Sequence, residues 1–156
     1  MASSAVERFL ERASQAGVQV DVREFPDGTR TAADAAAAIG CEVAQIVKSL
    51  VFMADGQAVL ALTSGANRVD EPKLAAHLDV EVVRKADAGE VRAATGYAIG
   101  GTPPFGHDTA LTILCDRDLT VHDEVWAAAG TPRTVFPLTP EVLLSTTGAR
   151  VVDLAA

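Results

Sequence analysis

The stretch Leu50-Val51-Phe52-Met53-Ala54-Asp55-Gly56-Gln57-Ala58-Val59-Leu60-Ala61-Leu62 sets two apolar runs on either side of an Asp-Gly pair. Asp-Gly tolerates the positive φ angles of a tight turn between antiparallel strands, so this is the strongest hairpin signal in the chain. Just upstream, Thr31-Ala32-Ala33-Asp34 has the polar start of a capped helix, and Gly40 closes the alanine-rich run that follows. A second short helix is expected from Glu42 to Lys48, which places Lys48 at a helix end beside a buried strand.

Farther out, Ser4-Ala5-Val6-Glu7 has the form of a capping box, and Val6, Phe9, Leu10 and Ala13 recur at helical spacing up to Gly17. Val18 to Arg23 alternates apolar with polar residues and reads as a half-buried strand, followed by a Pro26-Asp27-Gly28 turn. Beyond the hairpin, a helix starts near Asp70 with Pro72 in its first turn, and Val80 to Val83 reads as a strand. Asp87 to Thr95 is a helix ended by Gly96, and the loop Gly100 to His107 leads into a strand from Ala110 to Cys115. Strands are expected at Val125 to Ala129 and Thr134 to Leu138, turned by Gly130-Thr131-Pro132. A helix from Pro140 and a strand from Ala149 to Val152 finish the chain. Hairpins and helices join the strands without a regular strand–helix alternation. The expectation is an α/β chain of the α+β type: one domain over residues 1–156, with a mixed, largely antiparallel β-sheet flanked by helices.

Composition narrows the function. A length of 156 residues suits one domain, and 49% hydrophobic residues with only 4% aromatics imply a core of Ala, Val and Leu. No apolar run approaches the ~20 residues of a membrane helix, and the N-terminus lacks a basic region followed by an apolar stretch. Cys41 and Cys115 are expected to be unpaired thiols of a cytoplasmic protein. A net charge of −8 argues against wrapping a nucleic-acid backbone, though not against gripping one nucleotide end in a local pocket.

Several chemistries find no support. His77, His107, His122 and the two cysteines lack the close pair spacings of a zinc site, so no metal is expected. Ser64-Gly65 is half of a nucleophile elbow, and Gly96, Gly100 and Gly101 lack dinucleotide-fingerprint spacing, so no cofactor is expected. Two features survive. Lys48 stands among Val43, Ile46, Val47, Leu50, Val51 and Phe52. It is either a cation capping a helix dipole or a partly desolvated lysine that holds an anionic or carbonyl group. The loop Gly100-Gly101-Thr102-Pro103-Pro104-Phe105-Gly106-His107 is either a rigid crossover or a cradle whose N–H groups bind a developing oxyanion.

These residues carry a resemblance. Thr31 to Gly40 followed by Gln45-Ile46-Val47-Lys48-Ser49-Leu50-Val51-Phe52 resembles the front half of the YbaK/EbsC family, which includes the editing insertion domain of bacterial prolyl-tRNA synthetases. Thr63 to Asp70 with Lys73-Leu74 resembles its middle, and Gly96-Tyr97 with Gly100 to His107 resembles its signature loop. The resemblance implies a free-standing aminoacyl-tRNA deacylase that hydrolyses the ester at the 3′-terminal adenosine. In that reading Lys48 anchors the substrate end, Gly100 and Gly101 orient the ester carbonyl, and water aided by the vicinal ribose hydroxyl attacks. Substrate-binding roles fall to Thr31, Ser64, Asn67, Thr102, Pro103, Phe105, Gly106 and His107. The implied partners are the aminoacyl-tRNA 3′ end and an aminoacyl-tRNA synthetase, with no membrane. Some members carry an Asp where this chain has Thr134-Val135-Phe136, which leaves the amino acid open among Cys, Ala, Ser and others. It also keeps a second reading, a module that binds aminoacyl-adenosine without turnover.

Overall fold

A computed structural model describes residues 4–25 and 31–156. Among them run the helices α1 (Ser4–Gln15), α2 (Ala32–Ile39), α3 (Glu71–Leu78), α4 (Ala88–Thr95) and α5 (Pro140–Thr147). The strands are β1 (Arg23–Glu24), β2 (Val47–Ala54), β3 (Gln57–Ser64), β4 (Val83–Lys85), β5 (Thr112–Asp116), β6 (Val125–Ala128), β7 (Thr134–Leu138) and β8 (Arg150–Val152).

The Asp-Gly hairpin forms the centre. β2 and β3 pair antiparallel from Val47↔Ser64 to Ala54↔Gln57, and Asp55 and Gly56 turn between them with φ of 50° and 78°. Both angles are positive, as the twist-matched two-residue hairpin requires. Around this pair a five-stranded sheet assembles in the order β4-β2-β3-β5-β8. Its β2–β4 pairing is antiparallel, whereas β3–β5 and β5–β8 are parallel. A three-stranded antiparallel sheet, β1-β7-β6, completes the fold. The architecture is thus α+β, mixed and largely antiparallel, with the pairing divided between two sheets.

Alternation along β2 and β3 feeds two cores. Val47, Val51, Leu60 and Leu62 face α1, α4, β6 and β7, while Phe52, Ala54, Val59 and Ala61 face α3 and Leu154. On the first side Phe9 of α1 lies 5.1 Å from both Phe105 and Phe136, ring centre to ring centre. A third cluster packs Ala35 and Ala36 of α2 on Trp126 and Val135, the outer faces of β6 and β7. The helix starts follow the capping chemistry. The side chains of Thr31, Asp70, Asp87 and Thr139 accept from the backbone N–H three residues on, and Gly40, Gly96 and Gly148 close their helices in the left-handed conformation.

Three elements depart from expectation. Glu42 to Lys48 is not a helix: Glu42 and Gln45 close a single 3₁₀ turn over Val43–Gln45, and Val47 already opens β2. The β-branched side chains there gain more from pairing with β3 than one more helical turn would supply. Lys48 is therefore the second residue of a strand, and helix-dipole capping does not describe it. Val18 to Arg23 forms no strand before Arg23. Val18, Val20 and Val22 pack partly on the core, but β7 pairs only Arg23 and Glu24. The strand expected at Val80 to Val83 begins instead at Val83, because the register Ala54↔Val83 to Phe52↔Lys85 fixes it. The Pro26-Asp27-Gly28 turn lies outside the described residues. Cys41 and Cys115 are unpaired, and burial pushes the Cys115 thiol up to about 12. No helix among the described residues is long and apolar enough to cross a membrane.

Gly65, at the end of β3, donates to Ile46 O at 2.7 Å, and a Cβ there would stand 2.4 Å from Val43 O. A Gly65→Ala variant is expected to lose about 1–3 kcal/mol through this overpacking. Denaturant-induced unfolding measures the loss, and an unchanged midpoint would contradict the close approach.

Candidate functional site

On its outer edge β2 has two neighbours with a gap between them. Toward one end it touches β6 through a parallel bridge, Ile46↔Trp126, and toward the other it pairs with β4 from Phe52. A cavity of about 410 Å³ opens at this gap. Residues 47–51 of β2 form one wall, and residues 126–128 of β6 with Val135 form the opposite one. Thr31, which caps α2, closes one side with Ala32 and Ala35; Lys85, Ala86, Val91, Ile99, Gly100 and Thr102 close the other. Most of this lining is apolar. Among the described residues, its only charged side chains are Lys48 and Lys85.

Lys48 is half-buried and held. Its ammonium donates to Asn67 O at 2.5 Å. Desolvation lowers its pKa below that of an ordinary lysine, Lys85 and Arg68 lower it further, and Asp116 works the other way. The loop that receives Lys48 is itself pinned. Asp116, fully buried, accepts from Ser64 N at 3.1 Å and from Asn67 Nδ2 at 2.9 Å, and Asn67 Nδ2 also donates to Asp118. Ser64 Oγ donates to Ala44 O at 2.8 Å. Ser64 and Asn67 thus stand behind Lys48 and do not line the cavity.

The glycine- and proline-rich loop is split in the same way. Gly100, with φ 84°, and Thr102 face the cavity. Gly101 faces the turn behind it: a Cβ would meet the Thr131 Cα at 2.7 Å, so only glycine lets the loop lie this close. The Gly101 N–H and the Thr102 hydroxyl both donate to Ala98 O, at 3.0 Å each. The amides of Gly100 and Thr102 have no acceptor among the described residues. The rest of the loop turns inward. Pro103 and Phe105 are buried, the latter against Phe9 and Phe136. Gly106 O accepts from Arg12 Nη1 at 2.8 Å and from the Tyr97 hydroxyl at 3.2 Å. His107 Nε2 lies 2.7 Å from Pro103 O, and burial lowers its pKa. Pro103, Phe105, Gly106 and His107 brace the loop from behind and do not reach the cavity.

The structure therefore brings Thr31, Lys48, Gly100 and Thr102 to one cavity, and places Ser64, Asn67, Gly101 and Pro103 to His107 in its supports. Sequence reading missed Lys85 and Ser49. Placing the strand at Val47 rather than Leu50 would have set Ser49 between Val47 and Val51 on the cavity face. Lys85 lies beyond the end of the strand expected at Val80 to Val83, because β4 runs from Val83 to Lys85. Among the described residues no three His, Cys, Asp or Glu side chains are placed to hold a metal ion.

Comparison with known proteins gives the fold a family. Residues 26–146 match the family described as the aminoacyl-tRNA editing domain. A proline–tRNA ligase of Bacillus licheniformis is 32% identical over 84% of this chain, which spans only 23% of that ligase. The uncharacterized protein YwhH of Bacillus subtilis is 32% identical, with 79% of this chain and 78% of that protein aligned. A solved structure described as a candidate trans-editing enzyme for prolyl tRNA synthetase superposes with a TM-score of 0.95 at 46% identity. That alignment covers 100% of this chain and 99% of the other. With its cavity set in the gap of β2 and its matched segment running from before α2 into α5, well over half of the chain, the chain belongs to the aminoacyl-tRNA editing domain family.

Proposed function

We propose that residues 1–156 act as one free-standing editing domain that hydrolyses the ester of a mischarged aminoacyl-tRNA, working beside a prolyl-tRNA synthetase. One observation carries this reading. In a chain of net charge −8, the cavity bears lysines and, among the described residues, no carboxylate. A site so charged attracts the phosphates of a nucleic-acid 3′ end and leaves its apolar walls to the acyl group. The relatives named as proline–tRNA ligases support the choice of synthetase.

In the proposed mechanism Lys48, fixed against Asn67 O, holds the terminal nucleotide by its charge. The amides of Gly100 and Thr102, which have no acceptor among the described residues, donate to the ester oxygen as it gains charge, the role of an oxyanion site. Water adds to the ester carbonyl, with the vicinal ribose hydroxyl assisting. The bond between the acyl carbon and the ribose oxygen then breaks, and that oxygen leaves with a proton as the tRNA hydroxyl. The products are a free amino acid and an uncharged tRNA. No protein nucleophile is required.

Lys48→Ala is expected to reduce deacylation by roughly a hundredfold or more, the scale for loss of one preorganised electrostatic group. The measurement is single-turnover release of amino acid from mischarged tRNAPro, with circular dichroism to verify the fold. Near-normal rates would remove Lys48 from the mechanism. Lys85→Ala has two expected effects. It weakens binding of the acceptor end and flattens its salt dependence, because one phosphate-attracting charge is gone. It also raises the Lys48 pKa, since a neighbouring like charge disfavours the ammonium. Nitrogen-detected NMR titration of Lys48 in both proteins reads that shift, and a fall in place of the rise would contradict the electrostatic coupling.

A further inference from the structure

Ser49 is the polar residue of the cavity wall that the proposed mechanism leaves unused. It stands between Val47 and Val51 on the face of β2 that borders the cavity. Its hydroxyl oxygen is buried and has no hydrogen-bond partner among the described residues. A buried hydroxyl without a partner costs free energy, so its persistence in an apolar wall points to a ligand that completes it.

The backbone of the same residue is also open. Val51 O accepts from Ala86 N at 3.0 Å, so Val51 turns its peptide groups to the outer edge of β2. Strand alternation turns those of Ser49, two residues away, to that same edge. There the strand has no neighbour, since β4 pairs only from Phe52 and β6 touches only at Ile46. The N–H and C=O of Ser49 thus face the gap, and its side chain borders the same cavity beside Val47, Val51, Val91 and Ala127.

Resting on the editing-hydrolase reading above, we infer that Ser49 is the residue that selects the amino acid, and that the acyl groups it selects are the small β-hydroxy amino acids, serine and threonine. The outward C=O of Ser49 accepts from the α-ammonium. The hydroxyl exchanges a hydrogen bond with the hydroxyl of the acyl side chain, and the valine walls receive the methyl of threonine. An alanyl group fits the same space but leaves the Ser49 hydroxyl unpaired. A site built to bond a hydroxyl rejects the analogue that lacks it, while an apolar pocket alone discriminates weakly against an added one.

The test uses the full chain and tRNAPro charged in turn with serine, threonine, alanine and cysteine. Single-turnover rates are measured for the wild type and for Ser49→Ala, and thermal unfolding for both. Faster release of serine and threonine than of alanine is expected from the wild type. In Ser49→Ala the serine-to-alanine rate ratio should fall by roughly tenfold, the scale of one hydrogen bond. Its melting temperature should hold or rise, because the substitution removes an unsatisfied buried group. A ratio unchanged by the substitution overturns the inference. So does a lower melting temperature with equal losses on all four substrates, which would mark a structural serine. Wild-type activity confined to alanyl- or cysteinyl-tRNA overturns it while leaving the hydrolase intact. Silence on the whole panel overturns both.

Discussion

Pairing of β2 with β3 across Asp55-Gly56 is the constraint on which the rest of the molecule depends. Side chains along a strand alternate with a period of two, so a slip of one residue would exchange the two faces of the sheet. The register Val47↔Ser64 sends Val47, Ser49 and Val51 to one face of the sheet and Lys48, Leu50, Phe52 and Ala54 to the other, toward α3, and the cavity at the open edge is lined by residues of both faces. It also sets the odd-numbered peptide groups of β2 outward, where β6 and β4 fail to meet. The cavity is a consequence of that incomplete edge rather than a separate feature added to the fold.

The supports of the site are built from backbone approach and buried polar contacts, which explains why glycine and aspartate stand where they do. Gly65 and Gly101 each let one loop lie against another at distances no side chain would permit. Asp116, fully buried, gathers Ser64 and Asn67, and through Asn67 O it fixes where the Lys48 ammonium ends. Behind the glycine loop, Arg12 contacts both Gly106 O and Asp108, and Phe9 packs on Phe105. Helix α1 therefore holds the loop from outside the cavity. The cavity walls at Lys48 and Gly100 thus rest on two chain segments held from behind, an arrangement that limits their movement.

Much of this was legible in the residues. The capped starts at Thr31, Asp70 and Asp87, the glycine stops and the Asp-Gly turn are local signals, and they hold in the structure because neighbouring residues decide them. Lys48 and the Gly100 loop drew attention for chemical reasons, an isolated cation among apolar residues and an unusual density of glycine and proline. Contiguity in sequence groups Phe105, Gly106 and His107 with Gly100 as one site. The backbone path separates them, since the aromatic ring of Phe105 gains more by joining Phe9 and Phe136 than by facing a polar ligand.

Residue order is enough to establish the secondary elements with strong local signals, the hairpin at the centre, the loop and the lysine, and the acidic balance against which a cationic cavity stands out. Long-range packing sets Lys48 on a strand, brings Lys85 beside it, buries the Ser49 hydroxyl without a partner among the described residues, and makes half of the glycine-rich loop a support. The physical reason is range. Caps and turns are set by dihedral preferences and hydrogen bonds within a few residues. The edge of a sheet is defined by which distant strands arrive beside it, and here they leave one residue of β2 uncovered.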